Sequence, residues 1–257
     1  QALADDLGVS LLVREGRQAV LTVEGERFYP IAREALEILI NGSEAIRRSA
    51  NQSVLRVQTY ISVSLRWLSY RLPRFRALHP TLELQLLSTI HEQGFNETDA
   101  DVGLIFCRTR PDDHLHWIPL MQSKLFPVCS PGLIENHEAT LQPADLLDFP
   151  LLTVTSEAWR WQDWFESAGL GRLTADRSTR VDTTAIALEM AMSGEGMVLV
   201  NGPFADSDLK AGRLVQPVEH CAFNLGEWGL ACRKDSLGNP QVEAFIQWLQ
   251  ADLADYG

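Results

Sequence analysis

The chain has 257 residues, 46% of them hydrophobic and 22% charged. That is an ordinary globular composition with room for two domains or one large α/β domain, and it excludes collagen-like, disordered and disulfide-scaffold classes. No run approaches the roughly 20 uninterrupted apolar residues of a membrane helix, and the N-terminus lacks a charged-then-apolar leader, so a cytoplasmic protein is expected. The net charge of −12 disfavours a general polyanion binder, because affinity for phosphates comes from Lys and Arg displacing counterions. Most of that acidity lies beyond residue 50, since the first fifty residues hold six Arg against eight acidic side chains. Cys107, Cys129, Cys221 and Cys232 are scattered, without metal-ligand or CxxC spacing, and read as reduced thiols.

In chain order, Leu3 and Leu7 close a short apolar helix at Gly8, a residue that takes the left-handed stop conformation cheaply. Val13 to Leu21 then forms two short extended runs around Gly16, a small hairpin with Arg14 and Arg17 near its tip. Both arginines can reach phosphates, although composition alone favours solvated surface groups. Thr22 follows as a helix cap, with Glu24 at the positive end of the helix dipole. The helix is expected from Val23 to about Ser49. Along it Phe28, Ala32, Ala35, Leu39, Gly42 and Ile46 recur at alternating spacings of four and three, the pattern of a seam against a partner helix. Pro30 should bend this helix by removing one backbone hydrogen bond.

Beyond it, a strand at Leu55 to Thr59, a helix carrying Leu65, Leu68, Leu72 and Phe75, and a strand at Leu82 to Leu87 make a β-α-β unit. Further strands are expected at Asp101 to Cys107, Leu125 to Cys129, Pro150 to Val154, Met197 to Val200 and Trp228 to Cys232. Helices are expected at Ala158 to Ala168, Thr183 to Ser193 and Pro240 to Ala254. Such alternation implies parallel sheets with right-handed crossovers.

Two sets of residues carry a family resemblance. Leu7-Gly8-Val9-x-Leu11-Leu12-x-Arg14, then Leu21-Thr22-x-Glu24-Gly25 and a long helix, resembles the end of the winged helix-turn-helix domain of LysR-type transcriptional regulators. Arg66-Trp67-Leu68-x-x-Arg71-Leu72-Pro73-x-Phe75, His79-Pro80, Asp101-Val102-Gly103, Phe126 to Pro131, Ala187-Leu188-Glu189 with Gly194-x-Gly196, and Gly212 to Val215 with Pro217 resemble the effector-binding domain of the same family. The likeness is strongest to the branch of the glycine-cleavage activator and the inducible β-lactamase regulator.

The resemblance implies an α/β fold of two Rossmann-like lobes, of the type 2 periplasmic-binding-protein kind, preceded by a winged-helix remnant and a long linker helix. It implies a division into residues 1–21, 22–52 and 53–257, with lobe one at 53–125 and 218–257 and lobe two at 126–217. By the same resemblance the chain opens within a recognition helix and binds DNA poorly by itself. The implied partners are promoter DNA, a small-molecule inducer in the interlobe cleft, and further copies of the chain in a homodimer or homotetramer, without a membrane.

In α/β sheets, ligands collect beyond the carboxyl ends of strands, where helix N-termini present unpaired N–H groups, a place that suits a carboxylate. Ser62 and Ser64 follow the first strand and are candidates there, with plain helix capping as the alternative. Ser62 also matches the family's inducer-contacting Ser/Thr position, and Thr89 a second one. Thr155 follows a strand of the other lobe, and Thr183 and Thr184 open a helix for which Asp182 is the expected cap. Arg66 can neutralise an acidic ligand or tie its helix to the domain surface. Trp159, Trp161, Trp164 and Phe165 read as core. His114 and His116 alternate as metal ligands can, without a partner at close spacing, and read as surface groups. No catalytic or phosphate-cradling motif occurs, so no enzyme activity and no cofactor are expected. A stand-alone solute-binding protein is the alternative on the same two-lobed scaffold, and an enzyme is a third.

Overall fold

A computed structural model describes residues 2–16, 18–49, 54–90, 94–137, 141–156, 159–171 and 178–256. The chain divides into two compact units, Gln1–Gln52 and Ser53–Gly257.

In the first unit, α1 (Ala2–Leu7) stops where Gly8 takes a positive φ of 66°. β1 (Leu12–Glu15) and β2 (Gln18–Leu21) form the expected antiparallel hairpin, with Leu12 opposite Leu21 and Arg14 opposite Ala19. Arg14 is exposed on β1, and Arg17 lies outside the described residues. Thr22 accepts from the Gly25 N–H at 3.0 Å and donates to the Ser10 carbonyl at 2.6 Å. It thereby caps the following helix and ties it to the segment before the hairpin. α2 spans Val23–Ser49 with Pro30 inside it. Gly25 is required where helix meets hairpin, because a Cβ there would lie 2.0 Å from the Leu11 carbonyl oxygen. Of the seam, Phe28 and Ala32 are half-buried and Ala35 and Leu39 exposed, while the side chains of Gly42 and Ile46 lie outside the described ones.

The second unit begins with β3 (Val54–Tyr60), followed by α3 (Ile61–Val63), a π-helical turn at Ser64–Leu68, and α4 (Leu72–Leu78). Next come β4 (Glu83–Thr89), β5 (Val102–Cys107), the long β6 (Leu115–Val128) and α5 (Pro131–Ile134). β7 (Leu151–Val154), α6 (Trp161–Ser167), β8 (Ser178–Val181), α7 (Thr184–Met192), β9 (Met197–Asn201) and α8 (Asp206–Lys210) follow, then β10 (Ala222–Arg233) and α9 (Pro240–Tyr256). Eight strands make one sheet in the order β4-β3-β5-β10-β6-β9-β7-β8. This is a mixed α/β sheet with a parallel triplet at each end.

The expectation of parallel sheets throughout is corrected at the centre, where β5/β10, β10/β6 and β6/β9 are antiparallel. Seven residues separate β5 from β6, too few for a crossover helix, so β6 returns in the opposite direction. Its first ten residues precede the strand expected from Leu125, and they include Pro119. That proline is accommodated at an irregularity in the ladder, opposite Gly229, where the register shifts. β8, with exposed Thr179 and Arg180, carries no apolar alternation and was not expected.

The helix after β3 also differs from expectation. The Ser69 N–H bonds to the Ser64 carbonyl at 3.0 Å, an i to i−5 bond. The extra residue rotates this turn of the chain, so Leu65 faces out while Arg66, Trp67 and Leu68 are buried. A wide turn of this kind often marks a functional segment. Against the same half of the sheet, Phe75 of α4 packs on Phe245 and Trp248 of α9, at ring separations of 5.5 and 4.9 Å. Asp252 of α9 pairs with Arg71 and Arg74.

Candidate ligand-binding site

The parallel triplets place the carboxyl ends of β3 and β4 in one half and of β7 and β8 in the other. Tyr60 and Ser62 at the end of β3, Thr89 at the end of β4, Ser156 after β7, and Thr183 and Thr184 at the start of α7 line a single narrow cleft. Its free space is about 10 Å³, about enough for one water molecule.

Hydroxyls occupy the positive end of α7. Thr183, the cap residue, accepts from the Ile186 N–H at 3.3 Å, and Ser62, from across the cleft, accepts from the Ala185 N–H at 3.0 Å. All of Ser62, Thr183 and Thr184 are buried. The cap is therefore Thr183 rather than Asp182, because the helix starts one residue later than an Asp182 cap requires. The Ser62 oxygen sits where an anionic oxygen would find the same N–H and the same dipole.

Three other candidates have partners elsewhere and do not line this cleft. The Ser64 hydroxyl lies 2.8 Å from that of Ser88 on β4. Thr155 donates to the Val181 carbonyl at 3.1 Å, fastening β7 to β8. Arg66 reaches across to the other half, where it binds Asp208 of α8 at 3.2 Å and also Glu189 of α7. Asp208 is fully buried and is held from its other side by Arg213, whose Nε donates at 2.9 Å. Ser62 and Arg66 thus make two polar ties between the halves from a single turn of chain.

Behind the cleft lies an aromatic layer that spacing did not reveal. Trp228 packs on Phe204, Phe106 and Tyr60 at 4.8, 5.4 and 5.6 Å, and Phe106 packs on Trp159 at 5.4 Å. These rings come from β3, β5, β10 and the far half, so only tertiary structure collects them. Trp159, Trp161, Trp164 and Phe165 are buried as expected of core, and the Trp161 indole donates to the Leu152 carbonyl at 2.9 Å. His114 pairs with Glu97 at 3.1 Å, and no cluster among the described residues could hold a metal ion. Among the described residues, no helix is long and apolar enough to cross a membrane. Cys129 and Cys232 are buried and Cys107 and Cys221 half-buried, all four as free thiols.

A two-ended α/β sheet with a hydroxyl-lined cleft between its parallel triplets is the build of a small-molecule receptor domain. The chain belongs to the LysR family of transcriptional regulators: residues 48–254 match the LysR substrate binding domain. It is 27% identical over 259 residues to the glycine cleavage system transcriptional activator of Escherichia coli (strain K12), covering 99% of this chain and 83% of that protein. It is also 27% identical over 253 residues to the transcriptional activator AmpR of Rhodobacter capsulatus, covering 98% and 85%. Its fold matches the effector domain of AmpR from Pseudomonas aeruginosa with a TM-score of 0.66 and 26% identity, over 79% of this chain and 96% of that one. The relatives are transcriptional regulators by name, and the second unit is the effector-binding domain of such a regulator.

Proposed function

We propose that the cleft binds a small carboxylate-bearing inducer and that its opening and closing is the signal the regulator transmits to promoter DNA. The observation that carries this reading is the Ser62 hydroxyl seated on the Ala185 N–H of α7. It is a contact between halves at the N-terminus of α7, where a ligand carboxylate would be held by the same N–H. With room for only about one water, the cleft is in a closed arrangement, and an inducer must part the halves or replace the Ser62 contact to enter. A ligand that binds one arrangement better than the other shifts their populations by that differential affinity and no more.

Ser62, Thr89, Thr183 and Thr184 are the ligand contacts in this reading, with Tyr60 and Ser156 added by the structure. Arg66 acts as a tie between halves. The lobes divide as 53–125 with 218–257, and 126–217, with β6 and β10 as the hinge strands. Arg14 on β1, together with Arg17, touches DNA phosphates, and the exposed Leu39 on α2 belongs to a seam closed by a second copy, giving a homodimer or homotetramer. The chain acts as a cytoplasmic sensor and not as an enzyme. Calorimetry against a panel of amino acids and organic acids tests the site. One member should bind, and Ser62→Ala and Thr184→Val should weaken it at least about tenfold, the worth of one charge-assisted hydrogen bond. Unchanged affinity in both variants removes the assignment.

A further inference from the structure

A second cavity, of about 580 Å³, lies on the other face of the sheet from the cleft's aromatic layer, with Arg108, Arg110, Trp117, Gln122, Gly226 and Glu227 among its walls. The faces follow from register. Phe106 and Trp228 are partners and point to the aromatic layer, so their neighbours Cys107 and Glu227, also partners, point the opposite way.

Three observations mark this cavity as a built site. Arg108 and Arg110 are exposed, and among the described residues neither has an ion pair or hydrogen bond. Two guanidinium groups without a partner thus line one cavity. Glu227 is already engaged, accepting from the Gln122 amide at 2.7 Å.

The half-buried ring of Trp117 packs closely against Gly229, where an added Cβ would meet two of its carbons at 2.5 and 2.6 Å. A ring held in this way offers a preformed stacking surface at little entropic cost. β10 also breaks register between Phe223 and Glu227, with Gly226 at φ 143°, directly on the cavity wall. Irregularities of this kind re-aim side chains beside functional sites.

We propose that this cavity is a second ligand site, taking a small anion that carries a flat apolar ring, an aryl phosphate or an aryl carboxylate. The two guanidinium groups take the anionic head with charge-assisted hydrogen bonds, and Trp117 stacks on the ring. Its walls include β6 and β10, the strands that connect the two ends of the sheet. The proposal does not depend on the cleft's being an inducer site.

The test is calorimetry on the full chain with phenyl phosphate, phenylacetate and inorganic phosphate as probes. Phenyl phosphate or phenylacetate should bind, the two arms telling the head groups apart, with inorganic phosphate at least about threefold weaker than the ester because it lacks the stacking ring. Arg108→Gln/Arg110→Gln should weaken the aryl anion at least about tenfold with an unchanged melting temperature, since both side chains are exposed. Trp117→Leu should weaken the aryl anion and leave inorganic phosphate unaffected, and Ser62→Ala should change neither. The proposal is overturned if neither aryl anion gives heat at about 10 mM, a Kd weaker than any useful site. It is overturned equally if the double variant binds as the parent does, or if Ser62→Ala abolishes the same heat, which would place the ligand in the cleft. Inorganic phosphate binding as tightly as phenyl phosphate would remove the ring from the assignment.

Discussion

Arg66→Met is the substitution that most directly probes the tie between the halves. Asp208 has no exposed surface, and Arg66 retains only 8% of its own. Deleting one partner of a buried ion pair costs about 3–5 kcal/mol, most of it the charge left without compensation. Here Arg213 still holds the other carboxylate oxygen from a half-exposed position, which reduces the expectation to about 2–3 kcal/mol. Met keeps the apolar stem, so packing loss contributes little. For a unit of this size the change corresponds to a fall of about 4–12 °C in melting temperature. Glu189, the second acceptor, is 68% exposed, and Glu189→Gln should cost less than about 0.5 kcal/mol.

The assay is urea unfolding followed by tryptophan fluorescence. All seven tryptophans lie beyond residue 52, so the signal reports the second unit alone. A double-mutant cycle of Arg66→Met with Asp208→Asn should give a coupling above about 1 kcal/mol. A loss below about 1 kcal/mol for Arg66→Met together with a coupling near zero would refute the view that this buried pair holds the halves together.

Other expectations rest on single contacts. Thr22→Ala should destabilise the first unit by about 1 kcal/mol, seen as a loss of helical circular dichroism, because the Gly25 N–H loses its cap. Gly196→Ala should be strongly destabilising, since the new methyl would lie 2.6 Å from the backbone oxygen of Pro150; an unchanged melting temperature would contradict that packing. The Cys129 thiol is pushed up to about 12 from an ordinary 9.0 by burial. The folded state therefore keeps its proton where the unfolded chain releases it, and the stability this provides, complete below pH 9, is lost as pH rises toward 12. Cys129→Ala should flatten that alkaline limb of the melting curve, and Cys129 should resist thiol reagents while half-buried Cys107 and Cys221 react. Partial desolvation raises the Asp206 carboxyl even though the residue is exposed at the start of α8, and the charges of Lys210, Lys124 and Arg71 oppose the shift. Its stabilising contribution is present in acid and disappears as pH rises through its folded value, so Asp206→Asn should gain stability at neutral pH relative to pH 4.

Periodicity and capping were sufficient for local structure. Gly8, Thr22 and the apolar spacing of α2 place the ends of the first elements, because caps and stops act through hydrogen bonds within a few residues. The strands β3, β4, β7 and β9 were equally readable, β4 by its alternation and the others as short apolar runs that are buried almost throughout. Ser62, Thr89, Thr183 and Thr184 could be nominated because they follow strands or open a helix, which is itself a local property.

Tertiary structure decided the rest. The π turn at Ser64–Leu68 swings Arg66 inward, a rotation invisible to a 3.6-residue count, and so commits it to Asp208 more than a hundred residues away. The Thr183 cap, the antiparallel centre of the sheet and the ring cluster around Trp228 depend on which strands meet. That choice is made by burying the whole unit's apolar surface at once, a long-range term with no signature in any short window of sequence.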